Sequence, residues 1–485
     1  MAENIREIIL DTLLALEREE EYSHRLIKAV QDKYNYLEER DRAFLKRVTE
    51  GSLERQLELD YYLNQYSKTP VKKMRPLIRC LLRMNVYQLL YMDSVPDSAV
   101  CNEACKLAAK RGFASLKGYV NGVLRTIARE KGALSLPDKN QEPVRHLSVK
   151  YSMPEWLSEL WLDEYGWQIT AALLDALMQI HPVSLRFVST LSEAEREELC
   201  SRMYQQGVRL SHSRYLPYVY LMEEFGMAEG VSALPGFEDG AFTIQDVSSA
   251  LAVEAAGIRE GDFVIDVCAA PGGKSILAGE KAWTDKADCQ GRVLARDVSE
   301  DKVTVIEENI RRMKALNIQT EVFDGTYTDE ALLEKADVVL LDVPCSGLGV
   351  MGKKRDIKYH MTKEKMAGLM ELQKQIARAG ACYVKPGGIL LYSTCTIHSG
   401  ENQAMVRFFT QDLGFEPVSL EDVLPDVLLA QKKQIEKEMC KVGKEPAVRL
   451  TKEESDACIQ LLPGYMEADG FFIAKFRRKT DCCPV

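Results

Sequence analysis

The chain has 485 residues, 46% of them hydrophobic and 28% charged, which is the balance of a soluble globular protein and not of a membrane or disordered one. At about 150 residues per domain, this length predicts two to four domains. The 13 cysteines form no CxxC pair and no Cys/His cluster, so we expect reduced thiols and neither disulfides nor a metal site. No apolar run is long enough to span a membrane and no signal peptide begins the chain, which predicts a cytoplasmic protein without a membrane partner.

The net charge of -10 hides one basic segment. Residues 68–131 carry 13 Lys and Arg side chains against 4 Asp and Glu, a local excess of nine positive charges. Such asymmetry is expected of an RNA-binding module. A solvated helical face is the alternative explanation for a run of charges.

The N-terminal part shows a helical pattern. From residue 5 to about residue 127, apolar side chains such as Leu13 and Leu82 recur at helical spacing. We therefore expect an all-α bundle over residues 1–140, which ends in a polar linker at residues 131–142.

A small α+β domain is expected over residues 141–240. Ser152 is placed to cap a helix that begins at Pro154. Residues 181–187 alternate like a strand, and residues 192–205 form a helical stretch that begins with the capping-box pattern Ser-Glu-Ala-Glu.

From Phe242 onward, strand and helix signals alternate, which predicts a Rossmann-like, doubly wound parallel sheet in an α/β domain over residues 241–485. The expected strands are short apolar runs at 263–267, 292–296, 321–323, 338–341 and 389–392. Helices are expected at 300–316 and 363–383, and a solvated surface helix within 424–449.

The stretch GDFVIDVCAAPGGK at 261–274 runs from an apolar strand into a turn of small residues. Because Gly272 and Gly273 have no side chain, a ligand can approach the backbone closely. A helix that begins after the turn would direct unpaired N–H groups toward an anionic group. The spacing is neither GxGxxG nor the Walker pattern, which favours S-adenosylmethionine over a dinucleotide or ATP, while a purely structural turn is an equal alternative for this stretch alone.

Three expected strands are followed by an acidic residue, namely Asp297, Asp324 and Asp342. Ligands of open α/β sheets bind at the carboxyl ends of the strands, so we expect these carboxylates to converge on the turn at Gly272. Asp297 follows Lys274 at close to the spacing of about 20 residues at which an acid bonds ribose hydroxyls. A single strand-end Asp is more often a helix cap, but three in the same position make that explanation weaker.

Two cysteines follow expected strands directly, Cys345 in DVPCSG and Cys395 in YSTCT. Methylation of pyrimidine carbon 5 requires a nucleophile at carbon 6, and a thiolate can supply it. Because a thiol at neutral pH is only slightly ionised, the site must lower its pKa or supply a base, and Lys274 or a helix N-terminus could contribute. For either cysteine alone, an inert buried thiol is the alternative.

Four motifs resemble those of the Nop/Sun family of RNA cytosine-C5 methyltransferases: CAAPGGK at 268–274, DVPCSG at 342–347, KPGGILLYSTCT at 385–396 and GEN at 400–402. The closing stretch at 461–478 is also similar, and the N-terminal bundle resembles NusB-like RNA-binding domains. The resemblance implies a C-terminal class I methyltransferase fold. It implies transfer of a methyl group from S-adenosylmethionine to carbon 5 of a cytosine in 16S ribosomal RNA.

The resemblance also implies roles for individual residues. Cys395 would be the nucleophile that bonds carbon 6, and Cys345 would help to release the methylated RNA. Asp342, between cofactor and target base, and Lys274 would complete the catalytic group. The cofactor would be held by the turn and by three carboxylates, in all Cys268, Ala269, Ala270, Pro271, Gly272, Gly273, Lys274, Asp297, Asp324 and Asp342.

The expected partner is 16S ribosomal RNA with the target cytosine flipped out of its stack; no DNA partner is expected, and the protein is expected to be a monomer. The cations of residues 353–358 would hold phosphates, and Tyr359, where the family has Trp, would keep a stacking surface. A tRNA methyltransferase of the same family is the alternative, and the NusB-like bundle disfavours it. A non-catalytic RNA-binding adaptor is disfavoured because both cysteines and the glycine turn are intact.

Overall fold

A computed structural model describes residues 4–18, 23–179, 182–224, 230–284, 291–441 and 447–480. The chain divides into two compact units, a helical unit of residues 1–178 and 351–360 and a sheet unit of residues 179–350 and 361–485. The three-domain division expected from the sequence stays a prediction. No helix within the described ranges is both long and apolar enough to cross a membrane.

The helical unit confirms the predicted all-α bundle. Its main helices are α1 Ile5–Arg18, α2 Ser23–Lys33, α3 Glu39–Glu54, α4 Gln56–Tyr66, α5 Pro76–Tyr91, α6 Asp97–Lys110, α7 Lys117–Glu130, α8 Pro143–Lys150 and α9 Glu155–Leu177. Helix α5 begins with Pro76, whose fixed φ suits a first helical position, and it is apolar around most of its circumference. It therefore lies at the centre of the bundle, packed against α1, α3, α4, α6 and α7.

Ser152 does not cap α9, contrary to the sequence prediction. The residue before this helix is Pro154, which makes no side-chain cap. Ser152 has φ 50, a left-handed conformation. Its hydroxyl oxygen accepts a hydrogen bond from the backbone N–H of Leu57 at 2.7 Å. The side chain thus joins the loop between α8 and α9 to the start of α4 and does not cap α9.

The segment 351–360 belongs to the helical unit and corrects the expected RNA-contacting role of Lys358. Lys358 is only 3% exposed, and its ammonium donates to the carbonyl oxygens of Glu54 at 2.8 Å and Tyr151 at 3.3 Å. Burial lowers the pKa of Lys358 to about 7. The hydroxyl of Tyr359 donates to the same Glu54 carbonyl. The prediction that Lys358 holds a phosphate is wrong because its buried amino group already donates to the carbonyl oxygens of Glu54, at the end of α3, and of Tyr151.

The sheet unit begins with a four-stranded antiparallel sheet of β1 Val183–Phe187, β2 Arg209–His212, β3 Val219–Glu224 and β4 Phe242–Ile244, in the order β2-β3-β1-β4. Residue 181 of the expected strand lies outside the described residues. Helix α10, Glu193–Gln205, starts with the predicted capping box, in which Ser192 and Glu195 bond each other's backbone N–H groups. The expected α+β character of this region is confirmed.

Among the described residues the main sheet has eight strands: β5 Phe263–Asp266, β6 Arg292–Asp297, β7 Ile318–Val322, β8 Ala336–Asp342, β9 Val384–Thr394, β10 Glu416–Pro417, β11 Cys458–Leu461 and β12 Phe471–Arg477. The order is β10-β12-β9-β8-β5-β6-β7, with β11 paired to β12. Strands β5 to β9 are mutually parallel, and β12 runs antiparallel to β9. The predicted Rossmann-like class is confirmed, with an antiparallel edge added.

Helices of this unit are α11 Val247–Ala256, α12 Gly273–Ala282, α13 Glu300–Arg312, α14 Lys363–Ala381, α15 Gln403–Arg407, α16 Asp426–Lys441 and α17 Lys452–Asp456. Helix α13 ends earlier than predicted because Lys314 takes a left-handed conformation, φ 55. Strand β7 starts earlier than predicted because Ile318 packs against the small core cluster around Ile306. In the register of the sheet, Asp342 of β8 lies beside Ser393 of β9, so the carboxyl ends of these strands are neighbours.

Candidate functional site

The glycine turn joins β5 to α12. Gly272 has φ 100, a conformation that favours glycine, and an added Cβ would lie 3.1 Å from Ile306 Cγ2. Gly272 is also the N-cap residue of α12 and offers no side-chain acceptor. The first N–H groups of a helix have no acceptor within it, so this end of α12 is suited to an anionic group.

Asp297, at the end of β6, contacts the turn directly. Its carboxylate is 5% exposed, accepts from the N–H of Ala270 at 3.0 Å and pairs with the Lys302 ammonium at 2.9 Å. The carboxylate of Asp324 bonds within its own loop, to the N–H and hydroxyl of Thr326. Asp297 therefore converges on the turn as expected, whereas the described contacts of the exposed Asp324 stay local.

Lys274 and Asp342 form an ion pair beside the turn. The ammonium lies 2.6 Å from the Asp342 carboxylate, which also accepts from the Ser393 hydroxyl at 2.8 Å. Burial alone would lower the pKa of Lys274, but Asp342 outweighs burial and the net pKa is raised. Cys395 contributes to the same upward shift. Lys274 is thus a fixed positive charge within electrostatic reach of the Cys395 sulfur.

The two cysteines that follow β8 and β9 lie side by side. The Sγ atoms of Cys345 and Cys395 are 3.2 Å apart. The hydrogen bond with Cys395, together with burial, raises the pKa of Cys345 well above its usual value. Cys345 therefore keeps its proton. The third nearby thiol, Cys268, is held neutral because burial raises its pKa.

Sequence reasoning missed Asp266, the last residue of β5. Its carboxyl group is fully buried and accepts from the Ser275 hydroxyl at 2.6 Å. Burial raises the pKa of Asp266 to about 7. The sequence signal that could have identified Asp266 is an acidic residue at the end of an otherwise apolar strand. Its second oxygen, Oδ1, has no hydrogen-bond partner among the described residues.

These features fit S-adenosylmethionine. The cofactor is zwitterionic at its methionyl end, which suits the uncapped N-terminus of α12 and the Lys274 ammonium. Its ribose hydroxyls suit the carboxylate of Asp297. Within the described ranges, no group of three or more His, Cys, Asp or Glu side chains could hold a metal ion.

The parallel sheet, its glycine turn and the acid after the neighbouring strand define a class I, S-adenosylmethionine-dependent methyltransferase. Two family models match the sequence, "16S rRNA methyltransferase RsmB/F" over residues 254–477 and "NusB family" over residues 3–129. With the full-length relative described next, these matches show that the chain belongs to the RsmB/F family of 16S rRNA methyltransferases.

Relatives resemble the whole chain and not one domain. The probable ribosomal RNA small subunit methyltransferase B of Bacillus subtilis (strain 168) is 34% identical over 489 residues, covering 98% of this chain and 99% of that protein. Ribosomal RNA small subunit methyltransferase B of Sodalis glossinidius (strain morsitans) is 32% identical over 451 residues, with 92% of each chain covered. The crystal structure of PH0851 has the same fold, with a TM-score of 0.73 at 22% identity over 99% of this chain and 100% of that chain.

Proposed function

We propose that this protein transfers a methyl group from S-adenosylmethionine to carbon 5 of a cytosine in 16S ribosomal RNA through a covalent bond between Cys395 and carbon 6. The observation that carries the proposal is the 3.2 Å separation of the Cys345 and Cys395 sulfurs at the ends of adjacent parallel strands. The family description and the names of the two relatives support 16S ribosomal RNA as the target.

Cys395 is the proposed nucleophile. The Lys274 ammonium and the S–H of Cys345 both stabilise negative charge on its sulfur, which favours the reactive thiolate. Addition of this thiolate forms a sulfur–carbon bond at carbon 6 of the cytosine, and the displaced electron pair makes carbon 5 nucleophilic. S-adenosylmethionine supplies, when bound, the electrophilic methyl group for that carbon.

Cys345 is proposed to act in release. The pKa of its thiol is raised chiefly by the Cys395 sulfur, and that cause disappears once Cys395 is bonded to carbon. Cys345 then loses its proton to solvent and becomes a base that accepts the remaining proton of carbon 5. The electron pair of that C–H bond restores the double bond, and the Cys395 thiolate leaves.

The remaining site residues are proposed to bind and orient. The turn from Cys268 to Lys274 would hold the methionyl part of the cofactor, Asp297 its ribose and Asp324 the region of the adenine. Asp342, fixed by Lys274 and Ser393, would orient the target base.

RNA contact is proposed for one face of the helical unit. Of the 13 basic residues in segment 68–131, seven are ion-paired within the described residues. The six exposed cations without an ion pair there are Lys68, Lys72, Lys73, Arg75, Lys117 and Arg125. The hydroxyls of Ser67 and Tyr119 lie 2.6 Å apart, which brings the segment around Lys72 next to the start of α7. We call the six cations the basic face, and they suit a phosphate backbone.

Bisulfite sequencing of total RNA tests the proposal. A strain that lacks the protein should lose 5-methylcytosine at one 16S position, wild-type protein should restore it, and Cys395→Ala should not. Loss of the mark in a tRNA with intact 16S ribosomal RNA would instead support the tRNA alternative. An unchanged 5-methylcytosine pattern would contradict both.

A further inference from the structure

The carboxylate of Glu401, in the GEN sequence after β9, binds the loop that carries Cys345. Glu401 is 0% exposed. It accepts from the backbone N–H of Ser346 at 2.8 Å and from the Ser346 hydroxyl at 2.5 Å. The Gln373 side-chain amide donates to the same carboxylate at 2.9 Å. The residue next to Cys345 is therefore held by both its backbone and its side chain.

The neighbouring Asn402 binds the loop that carries Cys395, and it does so on both sides of the cysteine. Its carbonyl oxygen accepts from the Thr394 hydroxyl at 2.6 Å, and its amide donates to the carbonyl oxygen of Thr396 at 3.0 Å. The two loops are also joined directly, because the hydroxyls of Ser346 and Thr396 lie 2.7 Å apart. Consecutive residues of one short turn thus hold both cysteine loops.

We propose that Glu401 and Asn402 are positioning residues that set the distance between the Cys345 and Cys395 sulfurs, and that the balance between methylation and release depends on them. This inference rests on the proposed function. Their hydrogen bonds to Ser346, Thr394 and Thr396 hold the immediate neighbours of the two cysteines, so each acts on the geometry of the pair through those neighbours. A buried side chain that binds only the neighbours of reacting groups serves geometry, and misplacement by about 1 Å can cost about a hundredfold in rate.

Electrostatics give Glu401 a second effect on the same pair. Burial alone would raise the pKa of Glu401, but the His398 ring, whose Nδ1 lies 3.6 Å from the carboxylate, and hydrogen bonds from Ser346 and Gln373 outweigh burial and hold that pKa below its usual value. The carboxylate is therefore charged, and its charge adds to the raised pKa of Cys345. An uncharged residue of the same shape would let Cys345 lose its proton at lower pH.

Glu401→Gln tests the proposal because it keeps the shape and removes the charge and one acceptor. Single-turnover methylation of 16S ribosomal RNA from cells that lack the protein should slow about tenfold or more. In the Cys395→Ala background, the pH profile of Cys345 alkylation by iodoacetamide, followed by peptide mass spectrometry, should move to lower pH. Glu454→Gln is the matched control, because Glu454 is also buried but bonds Thr410 and Thr451. It should change neither readout.

The single variant Ser346→Ala supplies a second test in a chain that keeps Glu401, because it removes the hydroxyl that donates to the Glu401 carboxylate. If Glu401 acts in part through the Ser346 hydroxyl, Ser346→Ala alone should slow methylation, and the double variant should be slowed by less than the product of the two single effects. Wild-type methylation and an unshifted alkylation profile in Glu401→Gln would overturn the proposal. Failure of Cys345→Ala to trap an adduct would contradict the covalent mechanism instead, and the methylation rate and alkylation profile would still decide on Glu401.

Discussion

Gly349→Ala probes the closest backbone approach in the site. An alanine Cβ at this position would lie 1.9 Å from the carbonyl oxygen and 2.5 Å from the carbonyl carbon of Gly470, and backbone atoms cannot turn aside as a side chain can. Two hydrogen bonds would also be strained, from Gly470 N–H to Gly349 O and from Gly349 N–H to Cys395 O, both 3.0 Å. Overpacking costs about 1–3 kcal/mol and the loss of each of the two hydrogen bonds about 1 kcal/mol, so the free energy of unfolding should fall by about 3–5 kcal/mol.

Calorimetry and single-turnover methylation measure this effect. Gly349→Ala should lower the unfolding midpoint by several degrees. It should also slow methylation, because the hydrogen bond from Gly349 N–H to the Cys395 carbonyl oxygen holds the loop after Cys345 against Cys395. Gly368→Ala is the matched control. Gly368 lies inside α14, where an added Cβ meets no atom within 4 Å, so alanine should stabilise the helix by about 0.5–1 kcal/mol. An unfolding midpoint and rate for Gly349→Ala equal to those of wild type would refute the reasoning.

Two further predictions concern pH and RNA affinity. Burial raises the pKa of Asp266 from 3.8 to about 7, so the native state binds that proton more strongly and stability is lost as pH rises across this interval. In thermal-unfolding measurements over a series of pH values, Asp266→Asn should make the loss of stability with rising pH smaller. An unchanged slope of stability against pH would contradict the raised pKa of Asp266. Removing Lys72 and Lys73 of the basic face should reduce the slope of log affinity against log salt by about 1–2. The ammonium of Lys110 pairs with Glu7, so Lys110→Ala should reduce this slope less. Equal reductions of the slope would argue against RNA binding by the basic face.

Much of the sheet could be predicted because buried parallel strands are short apolar runs, as in β5 and β8. The segment 351–360 could not be placed from its composition. Its cations resemble a solvated RNA-binding loop, yet Lys358 is buried because the carbonyls of Glu54 and Tyr151 are available to it. These two hydrogen bonds join Lys358 to residues that lie 304 and 207 positions away in the sequence. No local sequence pattern indicates contacts over such separations.

The proximity of the two cysteines could be predicted because each follows one of two neighbouring strands. The difference between Asp297 and Asp324 could not, since both occupy strand ends and only the tertiary structure shows which one reaches the turn. The contact of Glu401 with Ser346 spans 55 positions and was likewise invisible in the sequence. Strand-end position therefore predicts where a site lies, whereas the partners of each side chain depend on loops that fold over it.

The most direct test of the central claim is the covalent protein–RNA adduct of two single variants, resolved on a denaturing gel with 16S ribosomal RNA and S-adenosylmethionine. Cys345→Ala should accumulate the adduct, because Cys395 still adds to carbon 6 and release is impaired. Cys395→Ala should form no adduct and no 5-methylcytosine. An adduct in Cys395→Ala with normal turnover in Cys345→Ala would contradict the assignment of the two sulfurs.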